Sequence, residues 1–304
     1  MSVVLQALVP VFALIMLGHV LRRLDFPGGD FWPRAERFTY YVLFPAMLVF
    51  KLGQARLPPS AYADTALLIV SMLVAMSLAL FLVQLAWKWR GPVFSSVYQG
   101  AIRFNSYVGL AAGGMLLGDD GLSLTAIAVA IMVPLLNLLC ILMFSLVSSQ
   151  GRVSLAGVLK TIASNPLILG SVLGVVWGYF EIGFHPLLAG TLAPLSNLAL
   201  PMGLMAVGAG LELSALRGST SAFVVSSVLK LVALPLMAAG LAWALGLEGL
   251  LVQVVVLLAA LPTATSAYIL ARQLGGDAPL MAGIISGQTL LAMISIPLML
   301  ALLW

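Results

Sequence analysis

The two halves of the chain share landmarks that recur at an offset of 156 to 157 residues. The recurring positions are Pro10 with Pro166, Gly18 with Gly174, Pro45 with Pro201, Leu85-Ala86-Trp87 with Leu241-Ala242-Trp243, and Asp120 with Asp277. A register kept over such a distance indicates an internal duplication, in which each half is one copy of a structural unit. We expect two repeats, residues 1–149 and 150–304, that together build one integral unit.

The chain is too apolar for a soluble domain. Hydrophobic residues make up 62% of it and charged residues only 8%, whereas soluble domains average about 45–50% and about 25%. Because roughly 20 apolar residues cross a bilayer, we expect about ten transmembrane helices in an all-α polytopic membrane protein. They are predicted near residues 3–21, 37–52, 62–87, 93–117, 121–148, 158–180, 186–211, 219–246, 249–274 and 278–303.

The positions of lysine and arginine predict the orientation, since cytoplasmic loops are enriched in these residues. The odd-numbered connections hold Arg22, Arg23, Arg34, Arg37, Lys88, Arg90, Arg152, Lys160, Arg217 and Arg272, and the even-numbered ones hold Lys51 and Arg56. We therefore expect odd connections in the cytoplasm, both termini on the extracytoplasmic side, and a location in the bacterial cytoplasmic (inner) membrane. With five helices per repeat, the second repeat starts on the opposite face, so the repeats are inverted, as in many secondary transporters.

Two predicted segments carry polar residues at the membrane centre beside an interruption. The fourth contains Arg103-Phe104-Asn105-Ser106-Tyr107 and the ninth contains Pro262-Thr263-Ala264-Thr265-Ser266, and the offset places Asn105 opposite Pro262. Interrupted helices expose N-terminal N–H groups and positive dipole ends, which favour anions. The sequence thus predicts broken crossover helices 4 and 9. Helix breaks are predicted at Pro45, Pro201, Gly109 and Pro262.

Two ionisable residues, Arg103 and Lys230, fall near the middle of predicted helices, and both are cations. Intramembrane charge indicates function by default, and an anionic substrate is the economical counter-ion. Arg103 could instead snorkel or bond carbonyls freed by the helix break, while Lys230 is a candidate coupling residue for proton-linked transport. The predicted substrate-binding residues are Arg103, Asn105, Ser106, Tyr107, Asn137, Pro262, Thr263, Thr265, Ser266 and Gln288.

Other classes of protein find little support in the sequence. The one cysteine, Cys140, excludes an intrachain disulfide and a cysteine-rich metal site. His19 and His185 lie far apart in the sequence, so neither a metal site nor an acid–base pair is predicted. We expect no cofactor and no enzymatic activity. The net charge of +4 fits cytoplasmic loops that meet anionic lipid, without nucleic acid as a partner.

Taken together, these residues resemble the auxin efflux carrier (AEC) family of permeases, which includes bacterial malate and malonate carriers and plant PIN auxin carriers. The resemblance covers essentially the whole chain and rests on Arg103-Phe104-Asn105-Ser106 with Gly109, on Pro262-Thr263-Ala264 with Tyr268 and Gly275-Gly276-Asp277, and on Leu43-Phe44-Pro45. It implies a scaffold bundle, a crossover bundle that moves like an elevator, carboxylate substrates, and a site at Asn105 and Pro262. Plant members have proline at both crossovers, whereas here Phe104 precedes Asn105.

The preferred function is secondary active transport of a small organic anion, a mono- or dicarboxylate such as malate, malonate or an auxin-like acid. One alternative is a sodium-coupled organic-anion symporter of the bile-acid-symporter type. Another is an anion-binding membrane sensor or channel that does not act as a carrier. The expected partners are the organic anion and membrane lipids, and a homodimer is left open.

Overall fold

The computed structural model describes residues 2–55, 59–147, 163–217 and 220–304. These residues form helices and connections and contain no β-strand. The α-helices are α1 (Ser2–Arg23), α2 (Phe31–Phe38), α3 (Phe44–Leu52), α4 (Pro59–Trp87), α5 (Gly91–Ile102), α6 (Ser106–Val147), α7 (Pro166–Tyr179), α8 (Pro186–Ala209), α9 (Thr220–Val228), α10 (Leu234–Ala244), α11 (Leu250–Ala260), α12 (Ser266–Leu274) and α13 (Ala278–Leu303). Two π-helical turns, Thr39–Leu43 and Leu229–Ala233, join α2 to α3 and α9 to α10, and a 3-10 turn spans Leu213–Arg217.

Six helical stretches of the described chain are long and apolar enough to cross a membrane. They are Val4–Arg23, Tyr62–Trp87, Gly91–Val147, Pro186–Ala209, Ser221–Ala244 and Ala278–Leu303. The third of these has 57 residues and is divided by the gap between α5 and α6 and by Gly118, whose φ of 71° only glycine adopts readily. The all-helical membrane architecture is therefore confirmed, while the count of ten spans in inverted repeats stays a prediction.

Non-helical backbone interrupts the chain at residues 103–105, between α5 and α6, and at residues 261–265, between α11 and α12. The first interruption lies within the fourth predicted segment, and the second lies within the ninth. The helices that lead into them are deeply buried: Val254 to Leu261 are 0% exposed, and every residue from Phe94 to Ile102 is buried. The crossing of these two broken segments therefore lies in the interior of the molecule.

Three of the predicted helix breaks are wrong. The helix continues through Pro45, which follows the π-helical turn Thr39–Leu43 at the start of α3, because a wider turn leaves room for a residue without an N–H group. Pro201 lies within the unbroken α8, as spanning helices tolerate proline where freed carbonyls find other partners. Gly109 is also helical, within α6. A Cβ there would press on Leu258 and Leu261, so Gly109 provides close packing at the crossing instead of a break.

The closest helix pairs join the two halves of the chain. The helix α1 packs along α8, and α3 packs along α7. A Cβ at Gly18 would overlap the backbone of Met205, and a Cβ at Gly174 would meet the backbone of Leu48 and Val49. The offset of 156 residues relates Gly18 to Gly174 and Val49 to Met205. The same close contact is thus made twice, with the halves exchanging roles.

Candidate functional site

A small set of hydrogen bonds holds the two interruptions against each other. The backbone N–H of Asn105 donates to the carbonyl of Pro262 over 2.8 Å. The Thr263 hydroxyl and the Gln288 amide both donate to the carbonyl of Gly100, over 2.7 and 3.0 Å, and the Gln288 Oε1 accepts from the Thr263 N–H over 3.0 Å. Thr263 and Gln288 are fully buried. They therefore replace backbone hydrogen bonds that the broken helices lack.

Asn105 starts α6 as well as contacting the opposite interruption. Its Oδ1 accepts from the N–H groups of Tyr107 and Val108, over 3.1 and 3.3 Å, which is the geometry of a helix N-cap. Asn165 caps α7 in the same way, through the N–H groups of Leu167 and Ile168. Because each side-chain amide is hydrogen-bonded to its own helix, both asparagine side chains have a defined position in the wall of the site.

A cavity of about 510 Å³ opens beside the crossing. This volume falls within the range of about 300–1,000 Å³ that small-molecule sites occupy. Its walls come from α2 and the π-helical turn after it, from both interruptions, from the start of α6 and its part after Gly118, and from α7 and α12. The lining residues are Pro33, Glu36, Arg37, Tyr40, Tyr41, Arg103, Phe104, Asn105, Ser106, Tyr107, Val133, Leu136, Asn137, Asn165, Leu167, Ala264, Thr265, Ser266, Ile269, Leu270 and Gln273.

Arg103 projects into this cavity from the first interruption. Its guanidinium donates to Asn137 Oδ1 and to Ser266 Oγ, each over 3.1 Å, and contacts the Cys140 sulfur at 3.8 Å. Its Nε is buried and has no hydrogen-bond partner among the described residues. The ion pairs of the described chain are Arg34 with Asp30 and Lys51 with Asp119, so Arg103 has no carboxylate within 4.0 Å there. The cation is fixed in place by neutral groups and retains an unused donor.

The N-termini of two helices meet the cavity beside Arg103. Ser106 begins α6 and Ser266 begins α12, and both residues line the cavity. The positive end of a helix dipole lies at the N-terminus of the helix. Together with the guanidinium, these ends make this wall of the cavity favourable for a negative charge.

The cavity includes seven of the ten predicted substrate-binding residues: Arg103, Asn105, Ser106, Tyr107, Asn137, Thr265 and Ser266. The other three, Pro262, Thr263 and Gln288, are absent from its lining and lie at the crossing, where Thr263 and Gln288 organise the backbone. Lys230 is also placed elsewhere. It is 0% exposed, and its Nζ donates to the carbonyl of Ala259 over 3.0 Å, two residues before the second interruption.

The structure adds lining residues that the sequence patterns did not indicate. Glu36 lies in the wall formed by α2 and accepts a hydrogen bond from the Thr265 hydroxyl over 3.4 Å. Tyr40 neighbours both Asn165 and Arg103, and the Tyr107 ring stacks on Phe44 with a centroid distance of 4.6 Å. An N-cap signal was available for Asn165, since it directly precedes a proline at a helix start. No comparable signal marked Glu36 or Tyr40.

Comparison with known protein families decides the class of this molecule. The profile of a family described as membrane transport protein matches residues 3–300. The chain belongs to this membrane transport family. The match confirms the resemblance to the auxin efflux carrier family and shows that the protein is a membrane transporter, which is consistent with the expectation that it is not an enzyme.

Two relatives of this transporter match it along nearly their whole length. A protein of Methanothermobacter thermautotrophicus, described only as a transporter, is 26% identical over 299 residues, with 96% of each chain covered. A protein of Rhizobium meliloti, whose name proposes malonate as the transported molecule, is 26% identical over 289 residues, covering 90% of this transporter and 88% of the relative.

Proposed function

We propose that this transporter is a secondary active carrier of a small organic anion, which it binds in the cavity beside the helix crossing. The observation that carries the proposal is Arg103, a partly buried cation that faces the cavity without a carboxylate within 4.0 Å among the described residues. A charge in such a place needs a counter-ion. A substrate carboxylate suits the planar guanidinium, which can donate two parallel hydrogen bonds to it.

The proposed substrate is a mono- or dicarboxylate such as malate, malonate or an auxin-like acid. Polar side chains of Asn105, Asn137, Ser106 and Ser266 line the same cavity as the guanidinium, while Leu136, Leu167 and Ile269 supply apolar wall. This combination favours a short carbon skeleton with a charged end. The relative whose name proposes malonate supports the same substrate class.

Alternating access by an elevator motion is the proposed mechanism. The pairing of α1 with α8 and of α3 with α7 supports a scaffold drawn from both repeats, 1–149 and 150–304. The interrupted segments around Asn105 and Pro262 would form the crossover bundle that carries the substrate. The cavity lies between these two parts, with α2 and α7 on one side and α12 on the other. Relative motion of the two parts would then open the cavity to either face of the membrane.

We further propose that the structure represents the state open to the cytoplasm. The cavity is lined by α2, by the start of α7 and by α12 from Ser266 to Gln273. These elements adjoin the first, fifth and ninth connections, which the distribution of arginine and lysine assigns to the cytoplasm. Both termini would lie on the extracytoplasmic side of the inner membrane.

The test is uptake of labelled malate, malonate, pyruvate and indole-3-acetate by the purified protein in liposomes, under an imposed proton, sodium or potential gradient. Saturable uptake of one carboxylate, absent from liposomes with Arg103→Gln protein, is the expected result. Ionic currents beyond carrier rates would indicate a channel, binding without flux a sensor, and uptake only with sodium a symporter of the bile-acid-symporter type. If Arg103→Gln leaves the flux unaltered, the substrate does not bind in this cavity.

A further inference from the structure

We infer that Glu36 takes up a proton when a dicarboxylate binds in the cavity, and that it thereby couples transport to the proton gradient. The inference rests on the proposed function and names the coupling ion for the same site. It concerns a residue that lies far from the crossover in sequence and is brought to the cavity by the fold.

Glu36 is the one carboxylate among the residues that line the cavity. It is half-buried on α2, and among the described residues its side chain accepts one hydrogen bond, from the Thr265 hydroxyl at 3.4 Å. No arginine or lysine nitrogen lies within 4.0 Å of it in the described chain. A carboxylate in this setting is neither fully solvated nor neutralised by an ion pair. Burial without a charged partner disfavours the ionised form of a carboxyl group.

The surroundings of Glu36 contain few groups that change charge. On its own helix lie Arg37 and Arg34, of which Arg34 pairs with Asp30. Tyr40 and Tyr41 lie on the following turn, and Arg103 faces the same cavity. From α6, Tyr107 lies near enough to interact electrostatically with the Glu36 carboxylate. The helix α8, which packs against α2, has no titratable residue between Pro186 and Ala209, and α7 and α12 carry Tyr179, Tyr268 and Arg272 outside the cavity lining. Glu36 is therefore the natural acceptor of a proton here at neutral pH.

The charges of the cavity match a dianion only when Glu36 is protonated. Two arginines and one glutamate line it, which gives a net charge of +1 with Glu36 ionised and +2 with Glu36 neutral. A dicarboxylate dianion would meet repulsion from an ionised Glu36 at short range, in surroundings where charges interact strongly. A protonated Glu36 removes the repulsion and offers an O–H donor to the substrate or to Thr265. Because binding linkage is reciprocal, the dianion favours the proton and the proton favours the dianion.

The contact between Glu36 and Thr265 joins the two parts proposed to move against each other. Glu36 belongs to α2, whereas Thr265 belongs to the second interruption. A substrate charge at this boundary would therefore act on the carboxyl group of Glu36, on the scaffold side. The proton would be acquired where the substrate binds and released where the substrate leaves.

The first test measures the dissociation constant of malonate for the purified protein between pH 6.5 and 8.5, where the ligand is largely a dianion. In the wild type we expect the constant to rise by up to about tenfold per pH unit, as linkage to one proton requires. In Glu36→Gln, which keeps the size of the side chain and its acceptor for Thr265, the constant should vary less than about twofold over the range. Glu248→Gln, at an exposed loop carboxylate outside the cavity lining, is the matched control and should behave like the wild type.

The second test uses liposomes with an imposed proton gradient. Wild type and Glu248→Gln should accumulate malonate, whereas Glu36→Gln should exchange malonate across the membrane without accumulating it. Unaltered gradient-driven accumulation in Glu36→Gln would overturn the inference. The inference would also be overturned if the dissociation constant of malonate lost its pH dependence in Lys230→Met but kept it in Glu36→Gln. That result would assign the proton to Lys230. If the wild type neither binds nor exchanges any carboxylate, the proposed function fails, an outcome distinct from a carrier that works without Glu36.

Discussion

Replacing Arg103 by glutamine tests the charge that defines the proposed site. The substitution removes the positive charge and keeps a polar side chain that can still donate to Asn137 or Ser266, the present partners at 3.1 Å. The helix ends at Ser106 and Ser266 remain in place. We therefore expect the protein to fold and to lose mainly its affinity for the anion.

The size of the loss follows from the interaction that is removed. A hydrogen bond to a charged group contributes about 1.5–3 kcal/mol. Since about 1.4 kcal/mol corresponds to a factor of ten in affinity, the dissociation constant of the transported carboxylate should rise roughly 10- to 150-fold. Arg103→Lys, which keeps the charge but not the two-pronged geometry, should fall between the wild type and Arg103→Gln.

Isothermal titration calorimetry on detergent-solubilised protein measures this constant directly. The matched control is Arg90→Gln, because Arg90 is an exposed residue at the opposite end of α5 from Arg103. At a rise of about 1.5 Å per residue it lies roughly 20 Å away. A comparable melting temperature for the two variants shows that the fold is retained. An affinity for carboxylate that is the same in Arg103→Gln and Arg90→Gln would refute the assignment of Arg103 as the substrate's counter-ion.

The remaining predictions concern packing and the crossing. Gly208→Ala should lower the free energy of unfolding by about 1–3 kcal/mol, because its Cβ would overlap the α1 backbone. The control is Gly190→Ala in the same helix, whose Cβ meets nothing within 4 Å and which should leave the melting temperature unchanged or higher. Equal changes of melting temperature in the two variants would contradict the packing argument. Gln288→Leu should lower the thermal stability, since the buried N–H of Thr263 loses its partner at about 1–3 kcal/mol and the Gly100 carbonyl keeps only the Thr263 hydroxyl as a side-chain donor. An unchanged unfolding midpoint would refute this. Asn105→Ala removes the cap of α6, worth about 0.5–2 kcal/mol, and should reduce malonate flux more than it reduces the yield of folded protein; intact flux would place the site elsewhere.

The crossing could be predicted because two independent signals coincide there. The offset between the halves pairs Asn105 with Pro262, and polar residues at the centre of an apolar segment need partners that only an interrupted, buried backbone provides. Both signals are local in sequence and do not depend on how the helices pack. Seven of the ten predicted site residues accordingly line one cavity.

The sequence did not predict the features that depend on tertiary packing, namely whether a helix continues through a proline and which distant residues reach the cavity. Pro45 and Pro201 were expected to end helices, but a proline removes a single hydrogen bond, and neighbouring structure determines whether the helix continues. Glu36 resembles any acidic residue in a short connection near arginines. Its importance depends on the approach of α2 to residues 264–266, which no periodicity in either segment encodes. Tyr40 was missed for the same reason.

The exchange of partners between α1 and α8 and between α3 and α7 has a consequence for biosynthesis. When α1 leaves the ribosome, the helix that covers its Gly18 face has not been made, and the contact with Met205 must wait until most of the chain is synthesised. The first half is therefore inserted as helices without their final neighbours. We therefore expect that neither half folds independently, and that the two halves, produced as separate polypeptides in one cell, assemble into a functional carrier that neither forms alone.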